Sequence, residues 1–189
     1  INFYNERRKQ LLDVVPNAGH LGVADLERDF NVTVVTQNVD NLHERAGSTH
    51  VIHLHGELTK VCSSRDPYNP HFVKELAPEE YEVKLGDKAG DGTQLRPFIV
   101  WFGESVPEIE TAIRYVEQAD IFVIIGTSLN VYPAAGLLNY VPRAAEVYLI
   151  DPKPVDTHVM RPIHVIQKGA SEGVKELKAL LAATQPPLL

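Results

Sequence analysis

The sequence predicts an α/β fold, in which helices lie on both faces of a mostly parallel sheet. Segments with the apolar spacing of helices alternate along the chain with short runs of β-branched residues, as such a sheet requires. The run at 121–125 is apolar at every position, as expected of a parallel strand covered on both sides. Polar clusters follow several predicted strands, at the edge where open α/β sheets bind ligands.

The first half of the chain predicts two helices and two strands. Apolar and aromatic side chains recur at helical spacing over the first dozen residues, which indicates an amphipathic helix. Pro16 ends this helix and suits the start of a second one, whose apolar face reaches Phe30. The β-branched run 32–36 and the run 51–54 predict short strands.

The second half continues the alternation after an irregular segment. Apolar runs predict strands at 98–102, 121–125, 147–150 and 164–166, and apolar faces predict helices at about 108–118, 133–140 and 172–182. Between 59 and 94 the periodicity weakens, so we expect a small inserted module or lid there. The predicted organisation is a main domain of 1–58 and 95–182, the module at 59–94 and a C-terminal tail at 183–189.

Composition narrows the class of protein. The chain has 189 residues, of which 44% are hydrophobic and 23% charged, as in soluble globular proteins. Its formal charge of −7 argues against general nucleic-acid binding, and no apolar run has the length of a membrane span. The single cysteine, Cys62, can make neither an internal disulfide nor a four-thiolate metal site. We therefore predict a cytoplasmic protein with no nucleic-acid or membrane partner.

The polar clusters at the strand ends have both functional and structural explanations. The segment 37–40 offers amides and a carboxylate that suit ribose hydroxyls and carboxamides, but Asn38 or Asp40 could equally cap a helix. His55 could act as a general base, and His53, two residues earlier, could do so as well; spacing alone does not choose between them. The Gly-Thr-Ser turn at 126–128 resembles a phosphate-approach turn.

Tyr4 and Arg7 stand three residues apart on one face of the first predicted helix. A phenol and a guanidinium in that arrangement could clamp a carboxylate, because arginine offers paired donors. From the residues alone a solvated helix face is the better explanation, since Glu6, Arg8 and Lys9 are also charged.

Four motifs taken in order resemble the sirtuins, the NAD-dependent protein-lysine deacylases. They are Thr-Gln-Asn-Val-Asp-Asn-Leu-His-Glu-Arg-Ala-Gly at 36–47, His-Leu-His-Gly-Glu-Leu at 53–58, Arg-Pro-x-Ile-Val-Trp-Phe-Gly-Glu at 96–104 and Gly-Thr-Ser-Leu-x-Val-Tyr-Pro-Ala at 126–134. The match runs from Tyr4 to about Gly173. It implies a Rossmann-like sheet with a small module at the position of a zinc ribbon.

The resemblance assigns roles to particular residues. His55 falls on the catalytic histidine, because it directly precedes the glycine. The residues that fall on NAD-contacting positions are Gln37, Asn38, Val39, Asp40, Gly126, Thr127, Ser128, Asp151 and Ala170. Those that fall on the segment pairing with the substrate backbone are Val100, Phe102, Gly103 and Glu104. Tyr4 and a buried Arg7 resemble the acyl-pocket pair of class III sirtuins, which prefer succinyl- and malonyl-lysine.

The resemblance also implies a reaction and its partners. The acyl-lysine carbonyl oxygen attacks the ribose carbon that bears nicotinamide, and nicotinamide leaves. His55 then acts as general base on a ribose hydroxyl, which attacks the acyl carbon. Water finally releases lysine and an O-acyl-ADP-ribose. The expected activities are desuccinylation, demalonylation and deacetylation of proteins. A non-catalytic nucleotide-binding module and a mono-ADP-ribosyltransferase are the alternatives.

Three features depart from the sirtuin pattern. The two cysteine pairs of the zinc ribbon are reduced to Cys62, so we expect no zinc and packing of Leu76, Tyr81, Val83 and Leu85 in its place. Asp151 stands where the family often has asparagine. The Gly-Ala-Gly-x-Ser phosphate loop is absent, so we expect an N-terminally truncated sirtuin and assign the activity to the longer parent protein.

Overall fold

The structure, a computed structural model, describes residues 1–127, 134–155 and 160–184. The chain forms two compact units. Unit 1 comprises 1–15, 36–42 and 53–106, and unit 2 comprises 16–35, 43–52 and 107–189. Both units are assembled from separate parts of the chain, and the domain division given above stays a prediction.

The elements follow the predicted alternation. The α-helices are α1 Asn2–Asp13, α2 Ala18–Asp25, α3 Leu42–Arg45, α4 Ile109–Val116 and α5 Ala170–Thr184. The strands are β1 Val34–Thr36, β2 Val51–His53, β3 Gly56–Ser63, β4 Lys74–Glu75, β5 Leu95–Ile99, β6 Ile121–Ile125, β7 Glu146–Ile150 and β8 His164–Ile166. The segment Ala134–Tyr140, predicted as a helix, is a 3-10 helix. None of the helices in the described part of the chain is both long and apolar enough to cross a membrane.

Unit 2 contains the parallel sheet that the sequence predicts. Its strand order is β6-β7-β8, and both pairings are parallel. α5 and α2 pack with this sheet around one apolar core, whose buried members are Val23, Tyr148, Ile150, Ile166, Val174, Leu177 and Leu181. The sheet and α5 thus give a rigid base to the loops that follow the strands.

Unit 1 contains an antiparallel sheet that the sequence did not predict. Its strand order is β4-β3-β5, and β3 covers eight residues, several of which were assigned to the irregular segment. Cys62 is fully buried in β3, and burial raises its pKa to about 11. Val83 is buried as expected, but Leu85 is 84% exposed and cannot help to hold the module.

The hydroxyl of Ser63 joins β3 to the loop before β5. It is fully buried, donates to Asp91 Oδ2 at 2.5 Å and lies 2.9 Å from Thr93 Oγ1. It also accepts the backbone N–H groups of Arg65 and Asp66, each at 3.0 Å. One polar group therefore organises the turn after β3 and the loop at 91–93. The expectation that the module holds no zinc stays a prediction.

Candidate active site

His55 lies in the two-residue turn between β2 and β3, and Gly56 determines how closely β5 approaches it. Gly56 has φ +90°, and a Cβ at this position would lie 2.0 Å from the carbonyl oxygen of Phe98. A residue without a side chain is therefore required. The close approach lets the Val100 N–H donate to the His55 carbonyl at 2.9 Å. The structure thus brings His55 and Val100 together, two residues that were predicted separately.

The two histidines of this motif have different surroundings. His53 is buried, with Nδ1 3.2 Å from the Asn38 carbonyl oxygen and Nε2 4.0 Å from Glu57 Oε1. His55 is half-buried, and within the described residues its imidazole makes no hydrogen bond. The geometry favours a structural role for His53 and leaves both ring nitrogens of His55 available to a ligand.

Backbone groups of Asn38 and Val39 hold the loop after β1. The Asn38 N–H donates to Thr36 Oγ1 at 3.0 Å, and the Asn38 carbonyl faces His53. The Val39 carbonyl accepts the Leu58 N–H of β3 at 2.7 Å. The Asn38 side chain is exposed, so its amide can both donate to a ligand and accept from it.

Asp40 has the helix-capping role that the sequence left open as an alternative. Its Oδ1 accepts the N–H of Leu42 at 3.0 Å and so caps the short helix α3. Its second oxygen has no hydrogen bond within the described residues, and Gln37 is half-buried in the same loop. Capping and ligand binding are therefore compatible at Asp40.

The predicted substrate segment is a turn that follows β5. Phe102 is fully exposed and Gly103 has φ +86°. The carboxylate of Glu104 accepts from the Arg96 guanidinium at 2.9 and 3.2 Å and from the Trp101 N–H at 3.1 Å. The hydrogen bond from Arg96 is the main cause that lowers the pKa of Glu104. Glu104 thus holds the shape of the turn with its side chain.

Tyr4 and Arg7 lie on one flank of α1. The Tyr4 hydroxyl accepts the indole N–H of Trp101 at 3.0 Å. The expected burial of Arg7 is wrong: Arg7 is exposed, and its guanidinium lies 5.2 Å from the centre of the Phe3 ring. Arg8 is the buried arginine, because the inward face of α1 follows the spacing Asn5, Arg8, Leu11.

The carboxyl ends of β6, β7 and β8 meet at one edge of the parallel sheet, since Ile125 pairs with Ile150 and Ile150 with Ile166. Gly126 follows β6 with φ +62°, and its N–H donates to the Ile150 carbonyl at 3.0 Å. Asp151 follows β7, and its N–H donates to the Ile166 carbonyl at 3.2 Å. Gly126 and Asp151, from two of the four predicted clusters, therefore lie at this edge, and the convergence of all four clusters stays a prediction.

The remaining cofactor residues of unit 2 lie beside this edge or beyond what the structure describes. Ala170 is the first residue of α5, four positions after the end of β8. Thr127 follows Gly126, and Ser128 lies outside the described residues. One carboxylate oxygen of Asp151 accepts the N–H of Lys153 at 2.8 Å.

Two side chains that the sequence reading did not single out complete the turn of unit 1. The Arg96 guanidinium lies 3.8 Å from the centre of the Trp101 ring, so it stacks on the indole while it binds Glu104. Trp101 is the only tryptophan in the sequence and stands inside one of the four motifs, which was the available signal.

The sequence is similar to named bacterial enzymes. An NAD-dependent protein deacylase of Bacteroides thetaiotaomicron is 83% identical over 181 residues, which are 96% of this chain and 77% of that protein. An NAD-dependent protein deacylase of Helicobacter pylori is 47% identical over 177 residues, 94% of this chain and 75% of that protein.

Solved structures agree in fold. A Sir2 homologue in complex with NAD is 36% identical with a TM-score of 0.79, covering 97% of this chain and 72% of that one. A mutant Sir2 homologue bound to 2′-O-acetyl ADP ribose is 34% identical with a TM-score of 0.82, covering 100% and 76%. A Sir2 complex with p53 peptide and NAD⁺ is 26% identical with a TM-score of 0.74, covering 93% and 74%. These neighbours confirm the predicted fold class.

The family model described as Sir2 matches residues 1–133, which include the loop after β1, His55 and the turn at 100–104. Together with the identities above, this match confirms the resemblance drawn from the four motifs. The chain belongs to the Sir2 family.

Proposed function

We propose that this protein is an NAD-dependent protein-lysine deacylase that prefers acyl groups ending in a carboxylate, such as succinyl and malonyl. The deacylase activity follows from membership of the Sir2 family and from the names of the relatives. The observation that supports it best is the placement of His55, which is half-buried and bonded through its backbone to Val100, with ring nitrogens that make no hydrogen bond to the described residues.

The residues at the edge of the parallel sheet fit a dinucleotide. Among the described residues, nothing lies within 4 Å of the position that a Cβ of Gly126 would occupy, so this part of the chain leaves room for a ligand at its backbone. Asp151 has a carboxylate oxygen that can accept from ribose hydroxyls. Ala170 begins a 15-residue helix, whose N-terminus favours negative charge. These residues would bind NAD, which supplies the ribose carbon that takes up the acyl group.

The turn at 100–104 fits an extended peptide substrate. Its exposed Phe102 and its backbone follow β5, an outer strand of the antiparallel sheet, and extended peptides add to such edges. The side chain of Glu104 is engaged inside the protein, so its contribution to substrate binding is to maintain the turn. Acylated lysines of proteins are therefore the expected partners.

The preference for acidic acyl groups depends on Tyr4 and Arg7. Both lie on one flank of α1, and the exposed guanidinium of Arg7 can offer two parallel donors to a carboxylate. An acetyl group has no distal carboxylate and gains nothing from this pair. The pair should therefore raise activity on succinyl-lysine relative to acetyl-lysine.

The test compares kcat/KM for succinyl- and acetyl-lysine forms of one peptide, with the full-length gene product. Arg7→Met should lower the succinyl-to-acetyl ratio by about ten- to a hundredfold, as expected for a lost charge-assisted hydrogen bond. Lys9→Met is the matched control, because it also removes one exposed cation from α1. An equal loss of kcat/KM on both peptides would contradict the assignment of Arg7 to the acyl carboxylate. An equal fall of the ratio in Lys9→Met would contradict it as well.

His55→Ala tests the deacylase activity itself. We expect formation of O-acyl-ADP-ribose to stop, because the general base acts after nicotinamide has left, whereas a variant with the turnover of the parent would require different chemistry. NAD-derived label that stays on the protein would favour mono-ADP-ribosyl transfer. A cytoplasmic location stays a prediction, to be checked by cell fractionation.

A further inference from the structure

The hydroxyl of Tyr4 has a fixed hydrogen-bonding direction. The indole N–H of Trp101 donates to it at 3.0 Å. An indole nitrogen is a donor only, so the phenol oxygen must accept and its own proton must point elsewhere. Within the described residues this is the only hydrogen bond of the Tyr4 hydroxyl. The phenol is thus left as a donor, which is the role that a carboxylate ligand requires.

The indole is in turn held at one face of its ring and at its backbone. The guanidinium of Arg96 stacks on the ring at 3.8 Å from its centre. Arg96 is bound by both oxygens of Glu104 and donates to the Ile99 carbonyl at 2.8 Å. Glu104 also accepts the N–H of Trp101. These contacts order an aromatic side chain that is 41% exposed and that lies on a turn.

From this arrangement we propose that Trp101 is a positioning residue for acyl specificity: it orients the Tyr4 hydroxyl to donate to the distal carboxylate of the acyl group. The inference rests on the proposed preference for acidic acyl groups and deepens it. A phenol that accepts one hydrogen bond is polarised and donates a stronger one. The Arg96–Glu104 pair acts through Trp101, and Tyr4 is the group that touches the substrate.

The experiment uses Trp101→Phe in the full-length gene product, with succinyl- and acetyl-lysine peptides. Phenylalanine keeps an aromatic face for Arg96 and removes the N–H. We expect the succinyl-to-acetyl ratio of kcat/KM to fall about fivefold, the effect of one hydrogen bond. The change should be in KM for the succinyl peptide. Tyr115→Phe, at an exposed aromatic of α4, is the control for loss of one polar aromatic group.

A double-mutant cycle separates positioning from an independent contact. In the Tyr4→Phe background, Trp101→Phe should lower the ratio by less than about 1.5-fold, because the residue through which it acts is already changed. Full additivity of the two substitutions would overturn the inference. The inference would also be overturned if Trp101→Phe left the succinyl-to-acetyl ratio of kcat/KM unchanged while Arg7→Met and Tyr4→Phe both lowered it. If Arg7→Met and Tyr4→Phe leave the ratio unchanged, the proposed acidic pocket itself fails.

Discussion

Replacing Ser63 with alanine should destabilise unit 1 through a single buried hydroxyl. Ser63 is fully buried at the end of β3, and its oxygen accepts two backbone N–H groups, from Arg65 and Asp66. Its proton goes to Asp91 Oδ2, and Thr93 donates to the other oxygen of the same carboxylate at 2.7 Å. Alanine keeps the volume of the side chain but removes the group on which these bonds converge.

The expected magnitude follows from the lost acceptor. A net hydrogen bond stabilises a protein by about 1 kcal/mol, so two orphaned backbone donors cost about 2 kcal/mol of unfolding free energy. For a chain of 189 residues this corresponds to a decrease in Tm of about 4–8 °C. Urea unfolding followed by circular dichroism measures the difference. Ser64→Ala is the control, because Ser64 is exposed and its hydroxyl makes one hydrogen bond, to the Gln94 carbonyl.

The pH dependence of the unfolding free energy tests the same prediction independently. Hydrogen bonds from Ser63 and then Thr93 lower the pKa of Asp91 from 3.8 to about 2. A lowered pKa gives stability that is fully present above the unfolded value and is lost as pH falls through the folded one. The difference in stability between the parent and Ser63→Ala should therefore narrow between about pH 4 and pH 2. A variant no less stable than Ser64→Ala, with an unchanged Asp91 titration by NMR, would refute this account.

Two further substitutions or treatments have clear expected outcomes. Gly56→Ala should lower the unfolding free energy by about 3 kcal/mol or more and reduce kcat/KM, because it adds backbone strain and a clash with the Phe98 carbonyl. Gly92→Ala is the control for backbone strain, because Gly92 has φ +79° and no described atom within 4 Å of the position that a Cβ would occupy. An equal loss of unfolding free energy in the two variants would contradict a clash at Gly56. Cys62 should resist iodoacetamide at pH 8 until the protein is unfolded, since its pKa of about 11 leaves few thiolates; rapid labelling of the folded protein would contradict its burial.

Strands that are apolar throughout could be predicted from the sequence. β6 has the bounds that its apolar run indicates, β8 also has its predicted bounds although it begins with His164, and α1 covers the predicted first dozen residues. β6 was predictable because a parallel strand covered on both sides needs no alternation of polar and apolar residues. The apolar pattern of the sequence and the structure agree where burial alone determines the residue type at a position.

β3 could not be predicted, because its pairing is irregular. Its register with β5 shifts between Gly56 and Val61, so buried positions do not alternate along the strand. A bulge of this kind breaks the period of two on which strand prediction depends. β5 is an outer strand, which is where Pro97 is tolerated in a sheet. The sequence reading therefore placed this strand three residues too late.

The turn at 100–104 shows why residues of a site can be recognised before their geometry. The run 98–102 is apolar and reads as a strand, yet Trp101 and Phe102 are exposed. Burial of one large aromatic side chain stabilises a protein by about 1.5–3 kcal/mol, so the exposure of these two side chains needs another explanation. The Arg96–Glu104 pair keeps the turn in this shape, at the position where a peptide substrate and Tyr4 would meet it. An apolar run that predicts a strand but forms an exposed turn within a motif thus indicates that function, and not packing, selects its side chains.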